Sequence, residues 1–493
     1  MFLRIFVLCL VVGLVYSSRQ FRLGRSRDGN LGSPGDYAGE KLPEERWMEQ
    51  KLDHFSPTDL RTWKQRYFIN DTFFDYENPG PIFIMIGGEG PLDARWMVKG
   101  AWIEYAQKFK AMCLSLEHRY YGKSHPTEDL STKNLQYLSS HQALADLANF
   151  ISTKTNDFKL VKEVKWIAFG GSYPGSLAAW LRMKYPHLVH GAISSSGPLL
   201  AKLNFMEYFQ VVVHALSEKT QSDECVNQVK AAHKQVATLF KSNPTIIEKE
   251  FRVCKPFSQA SDKDKRNFFN AIADDFAGLV QYNEDNRIGA NETYKNLTIN
   301  TVCQMLTADG GRPAYKKLAA FHSIMLDKTK EPCLDYSYKS MIDEMSNTRW
   351  SNDSGRQWFY QTCTEFGFYQ TSSADVAEVF GNQFTLDFFT QQCQDVFGPK
   401  FNENFIEDAT VFTNTDYGAL DIDASRVVYV HGTVDPWHAL GITKTRDQYA
   451  PAILIKGTAH CANMYPSSDS DLLELKRARL DIQQFISVWL DMP

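Results

Sequence analysis

"VKWIAFGGSYPGSLAAWLRMKY", residues 164–185, decides the fold. Its first part is a short apolar run of the length of one buried strand, and its last part, rich in Ala and Leu, has the propensity of a helix. Between them stand Gly170, Gly171 and Ser172. Small residues let the backbone turn sharply there and push a hydroxyl out over a sheet edge, which is where a serine nucleophile would sit. Ser is also a common helix N-cap. The rest of the chain has to decide between the two.

Outward from this turn the sequence alternates. The runs "PIFIMIGG" (81–88), "AMCLSLEHRY" (111–120) and "HGAISSSGP" (190–198) read as strands, separated by helical patterns such as "SSHQALADLANFISTKT". Strand, helix, strand in this rhythm predicts a parallel sheet with helices on both faces. The rhythm returns in "RVVYVHGTVD" (426–435), "APAILIKGTAH" (450–460) and the amphipathic "LLELKRARLDIQQFISVWL". Residues 200–420 differ: they are polar and helical in pattern and carry six cysteines and three of four sequons. The expected organisation is a signal peptide at 1–17, an arm or pro-segment at 18–45, an α/β core at 46–199 and 421–493, and a helical cap insertion at 200–420.

A serine hydroxyl needs a base to take its proton and a carboxylate to orient that base. Asp435 ends one late apolar run and His460 ends the next. Each alone could be a loop residue, but Ser, Asp, His in this order at successive strand ends is the α/β-hydrolase order. His431 and His438 flank Asp435 and are rival bases, poorly placed to reach a serine on another strand. For the oxyanion, the backbone N–H of Tyr173 follows the nucleophile, and "GGEGP" (87–91) offers Gly88 or Glu89 after an earlier strand.

The first residues, "MFLRIFVLCLVVGLVYSS", set Arg4 before an apolar run and end in Ser17 and Ser18, the form of a cleaved signal peptide. The run is short of the about 20 apolar residues that an anchor needs. A secreted or lysosomal protein is therefore expected. "SRQFRLGRSRDGNLGSPGDYAGE" behind it has the composition of a flexible arm. Loss of Cys9 with the signal leaves eight cysteines, an even number suited to disulfides. Sequons fall at Asn70, Asn291, Asn296 and Asn352.

Net charge is −5 on 493 residues with both signs mixed, which excludes a nucleic-acid binder's basic footprint. No CxxC or HExxH occurs, and "GKS" at 122–124 has Glu117 where a P-loop has Gly. No metal or cofactor is expected.

"GGSYPGSLAAW", "EHRYYGKS" (117–124), "QKLDHF" (50–55), "TEFGFYQT" (364–371) and "DPW" (435–437) together resemble the family of lysosomal Pro-Xaa carboxypeptidase and dipeptidyl-peptidase II, most closely its thymus-specific serine protease branch. The resemblance runs from about residue 46 to 490. It implies an α/β-hydrolase with a helical cap, the triad Ser172, Asp435 and His460, and a peptide substrate. It also implies a secreted, vesicular or lysosomal protein, in some members a homodimer, and the pairs Cys225–Cys303, Cys254–Cys333 and Cys363–Cys393. Cys113 and Cys461 are left to pair or to stay as buried thiols.

Departures bear on specificity. Pro174 replaces a glycine of the prolyl-cleaving relatives, and a first helical turn tolerates it. Ser176 stands where those relatives have a Met lining the proline pocket, and Met464 where the carboxypeptidase has a Trp. Trp437 still offers an aromatic wall for a proline ring. The sequence thus predicts a serine exopeptidase acting on short peptides, with an esterase or a catalytically silent binding protein of the same fold as the alternatives.

Overall fold

Strands that are apolar on both faces pair into a sheet that helices cover on both sides, and this chain builds its core that way. The computed structural model describes residues 41–492 apart from 160–163, 285–295 and 373, and before them 21–22, 25–26, 29, 31–35 and 39. The leader expected at 1–17 and the sequon Asn291 lie outside these residues. Two short strands of the arm, Phe21–Arg22 and Arg25–Ser26, pair antiparallel; after them, in chain order, come β1 (Arg46–Lys51), β2 (Thr62–Asn70), β3 (Ile82–Ile86), β4 (Met112–Leu116), β5 (Trp166–Gly171), β6 (Gly191–Ser195), β7 (Lys202–Asn204), β8 (Gly367–Tyr369), β9 (Val427–Gly432) and β10 (Ala452–Ile455). Eight of them form one sheet in the order β10-β9-β6-β5-β3-β4-β2-β1, and β7 and β8 form a small parallel pair. Within the large sheet β2 alone runs against its neighbours. This is the α/β-hydrolase arrangement that the sequence predicts.

The β3 sequence IFIMI is buried throughout and splits its side chains between two layers. Ile82, Ile84 and Ile86 face a core that includes Ala168, Leu177 and Trp180, whereas Phe83 and Met85 face one with Ile167, Phe169, Trp102, Ile486 and Trp489. The helices Ser140–Phe158 and Tyr173–Lys184 cover the first layer, and Ala101–Phe109 and Leu473–Asp491 the second. Register is fixed by this division, because a slip by one residue would exchange the two sets.

From β3 the chain goes to β4 on one side, then crosses back to β5 on the other. Such a switch point opens a crevice at the carboxyl ends of the two strands. The loop Gly87–Leu92 and the turn at Ser172 therefore lie at neighbouring strand ends.

Between β6 and β9 the described residues form eleven α-helices and the β7–β8 pair. Cys225–Cys303, Cys254–Cys333 and Cys363–Cys393 are bonded in this segment, while Cys113, on β4, and Cys461, in the loop after β10, are free and buried. A π-helical turn, Thr362–Phe366, precedes β8. Trp180 stacks on Tyr417 with centroids 4.1 Å apart, joining the helix after Ser172 to this segment. Asn296 and Asn352 are exposed; Asn70 is half-buried and its Nδ2 donates to the carbonyl of Met97 at 2.6 Å. Among the described residues no helix is long and apolar enough to cross a membrane, and no cluster fit for a metal ion occurs.

Candidate active site

Ser172 follows β5 directly, with φ 65° and ψ −134°. A non-glycine residue held there costs of order 1–3 kcal/mol, and the surroundings must impose it. They do so through the N–H of Ser172, which donates to the carbonyl of Ser195 at 2.9 Å, and its own carbonyl, which accepts from Gly175 at 2.8 Å. A Cβ on Gly170 would overlap the carbonyl oxygen of Pro174, so the turn needs glycine. Tyr173 and Pro174 begin the helix, where a missing N–H at Pro174 costs no hydrogen bond.

Asp435 stands three residues past β9 and His460 five past β10. Both are fully buried, and His460 Nδ1 is 2.9 Å from Asp435 Oδ1. Asp435 also accepts the N–H of Trp437 at 3.0 Å, which caps the short turn after it. Burial opposes an imidazolium at His460, but the adjacent Asp435 carboxylate outweighs it and holds the pKa well above its usual value. Burial pushes Asp435 up, and the charge and hydrogen bond of His460 bring it below the usual range. The other ring nitrogen, Nε2, is buried and makes no hydrogen bond with a described residue. The peptide after His460 is also tethered: the N–H of Cys461 donates to Ser196 Oγ at 2.9 Å.

The rival histidines differ. His431, on β9, is buried against Gly441 and burial pushes it down to about 4. His438 Nδ1 bonds to the backbone carbonyl of Asp435 at 2.7 Å rather than to its carboxylate.

The loop after β3 reaches the elbow through Gly88, where a Cβ would strike the ring of Pro174. Glu117 holds the far end of that loop: Oε1 accepts the N–H of Leu92 at 3.0 Å and pairs with Arg66 Nη2, while Oε2 accepts from Arg66 Nε, Lys123 N and Ser124 Oγ. The Tyr173 hydroxyl lies in a second polar chain, 3.0 Å from His118 Nε2 and 3.1 Å from Gln361 Nε2, and Gln361 continues to Glu365. Burial pushes His118 down to about 4, so a neutral ring meets the phenol.

Trp437 is buried among Phe205, Tyr208 and Phe368, its ring 6.4 Å from that of His460. Ser176 is buried, and its hydroxyl donates to the carbonyl of Pro198 at 2.8 Å. Met464 does not join Trp437. Cys461 takes φ 59°, the chain turns, and Met464 packs beneath the elbow against Gly171, in the opposite apolar layer.

Pieces of the arm meet this region. Arg25 donates through Nε and Nη2 to the carbonyl of Glu89 at 2.9 and 2.7 Å. Trp96 Nε1 donates to Gly32 O at 2.8 Å and the Tyr465 hydroxyl to Leu31 O at 2.7 Å, with the Leu31 side chain close to Gly171.

Residues 50–482 match the family model for serine carboxypeptidase S28. The chain belongs to that family. This S28 chain is 35% identical to thymus-specific serine protease of Mus musculus over 460 residues, covering 91% of this chain and 88% of the relative. It is 34% identical to the Homo sapiens protein of the same name over 462 residues, with 92% and 87% covered. Lysosomal Pro-X carboxypeptidase of Mus musculus matches at 29% over 463 residues, with 90% and 89% covered. The chain is a serine-type peptidase.

Sequence reading missed Glu117, His118, Gln361 and Glu365. Glu117, His118 and Arg119 stand together in "EHRYYGKS" directly after an apolar strand, and all three are buried. Charge abutting a core strand is the signal that could have found them.

Proposed function

We propose that this S28 peptidase is an exopeptidase of the secretory pathway in which Ser172, His460 and Asp435 are the triad. The observation that carries the reading is the fully buried contact of His460 Nδ1 with Asp435 at 2.9 Å, joined to a serine held on a strained turn after a central strand. His460 takes the Ser172 proton as Ser172 Oγ attacks the scissile carbonyl, and Asp435 stabilises the imidazolium. The tetrahedral oxyanion is met by the N–H of Tyr173, at the helix start where no intrahelical acceptor exists, and by an N–H of Gly88 or Glu89. Collapse expels the amine with the proton from His460, and water then repeats the cycle on the acyl-enzyme.

The helical segment 200–420 is read as a cap that limits substrates to short peptides. Trp437 and its aromatic neighbours are read as the surface for a proline ring, in keeping with the name of the carboxypeptidase relative. Three disulfides and the leader support passage through an oxidising compartment, with secretion or lysosomal delivery as the destination. The arm is read as a pro-segment, because its Arg25, Leu31 and Gly32 contacts fall on the loop and edge that a peptide would approach.

The test is labelling of the purified protein with a fluorophosphonate, wild type beside Ser172→Ala, with the modified peptide mapped. Labelling at Ser172 that vanishes in the mutant is expected, followed by turnover of short peptides with and without proline. An unlabelled wild type at both acid and neutral pH, with the arm intact or removed, overturns the reading.

A further inference from the structure

Gln281 is the last residue of the helix Asp262–Gln281, deep in the helical segment and fully buried. A helix leaves its last four carbonyls without intrahelical donors, and a buried end must find others. The carbonyl of Gln281 finds the N–H of His460, at 3.1 Å. Its side chain turns to the neighbouring loop: Oε1 accepts from Trp437 Nε1 at 2.9 Å and from the Tyr208 hydroxyl at 2.7 Å, and Nε2 donates to the Tyr282 hydroxyl at 3.0 Å. One residue thus holds the backbone of the histidine and the indole two residues beyond its aspartate.

From this geometry we propose that Gln281 is a positioning residue of the peptidase reaction, fixing His460 through its main chain and Trp437 through its amide oxygen, so that the helical segment completes the site beneath it. The inference rests on the triad assigned above. Its physical content is that an acceptor shared by two buried donors fixes both. The indole and the phenol both donate to this one oxygen, and an unmade buried hydrogen bond is costly. The ring of Trp437 stands tilted beside that of His460, and the Asp435 carboxylate accepts the backbone N–H of Trp437, so a displaced indole is transmitted to both members of the pair. The negative end of the helix dipole also points at the histidine loop, which favours the imidazolium formed during acylation.

The experiment is a double-mutant cycle of Gln281→Leu and Trp437→Phe on the full chain. The readouts are the rate of Ser172 acylation by a small fluorophosphonate, kcat and KM on a peptide substrate, and the thermal midpoint. Gln281→Leu is expected to slow acylation by about tenfold or more, with the loss mainly in kcat, since small misplacements of a catalytic group carry large rate penalties. In the Trp437→Phe background the same change should cost less, because one of the two donors to that oxygen, the indole, is already gone. Gln281→Glu keeps an acceptor oxygen at that place and should retain more acylation than Gln281→Leu. If Gln281→Leu is not recovered folded, the comparison of Gln281→Glu with Gln281→Asn, which shortens the reach, carries the same test. Acylation within twofold of wild type at an unchanged midpoint overturns the inference, as do fully additive losses. Wild type that fails to label at Ser172 refutes the triad instead, so the two failures are told apart.

Discussion

Glu117→Gln replaces a buried carboxylate by an amide of the same shape, and the structure fixes what is lost. The five donors around Glu117 divide into two on Oε1, from Arg66 Nη2 and Leu92 N, and three on Oε2, from Arg66 Nε, Lys123 N and Ser124 Oγ. Whichever way the amide is turned, its NH2 faces donors. With NH2 on the Oε1 side, Arg66 Nη2 and Leu92 N lose their acceptor; on the Oε2 side the serine hydroxyl can rotate to accept, but Arg66 Nε and Lys123 N cannot. Two hydrogen bonds to a charged group therefore go in either case, at about 1.5–3 kcal/mol each, or about 3–6 kcal/mol together. Arg66 keeps its contact with Glu45, which limits the loss. The assay is urea unfolding followed by tryptophan fluorescence, with fluorophosphonate acylation measured in parallel, because Leu92 ends the loop that meets the elbow. Acylation should slow in the folded mutant. A stability loss below about 1 kcal/mol, with acylation unchanged, would refute the claim that Glu117 anchors that loop.

Activity should fall as pH is lowered, with its midpoint above the usual histidine value of 6.5, because the Asp435 carboxylate raises the pKa of His460 and the base must be neutral to accept a proton; a flat pH–rate profile, or a midpoint at or below that usual value, would contradict it. Stability runs the other way for the same pair. The raised His460 contributes fully below its unfolded pKa and loses its share as pH climbs through the folded value, while the lowered Asp435 contributes above its unfolded pKa and fails only in strong acid. Thermal midpoints of wild type and His460→Gln across pH should therefore converge on the alkaline side. Proteolytic removal or deletion of residues 18–35 should raise kcat/KM on a short peptide, since Arg25, Gly32 and Leu31 of the arm bond to Glu89, Trp96 and Tyr465; an unchanged or lower kcat/KM would leave the arm with no inhibitory part.

What could be read from the sequence follows from where the physics is local. The strands β3, β5 and β9 were legible because a strand buried on both faces is a continuous apolar run. The first two strands were not, because Gln50 of "RWMEQK" faces inward and spends its amide on Gln65 and the carbonyl of Asp146, hiding the period-two pattern. That Ser172, Asp435 and His460 stand past the ends of apolar strands could be read, since each such strand is a local run. That Met464 packs in the layer opposite Trp437 could not be read, because one residue in the left-handed region turns its loop and no pattern announces that. Gln281 was invisible for a different reason. A backbone carbonyl is the same in every residue, so a helix end that satisfies another loop's N–H leaves no mark in the letters.

The order of strands along the chain has a consequence in time. β6 pairs with β9, yet about 230 residues are made between them at roughly 5–20 residues per second. For some tens of seconds the sheet emerges from the ribosome with β6 as a bare edge, a state prone to wrong pairing. The long helical segment can form its own disulfides in that interval and shield the edge. On the triad proposed above, Asp435 and His460 join Ser172 only when the last strands arrive, so the nascent peptidase would stay chemically silent until its synthesis is nearly complete.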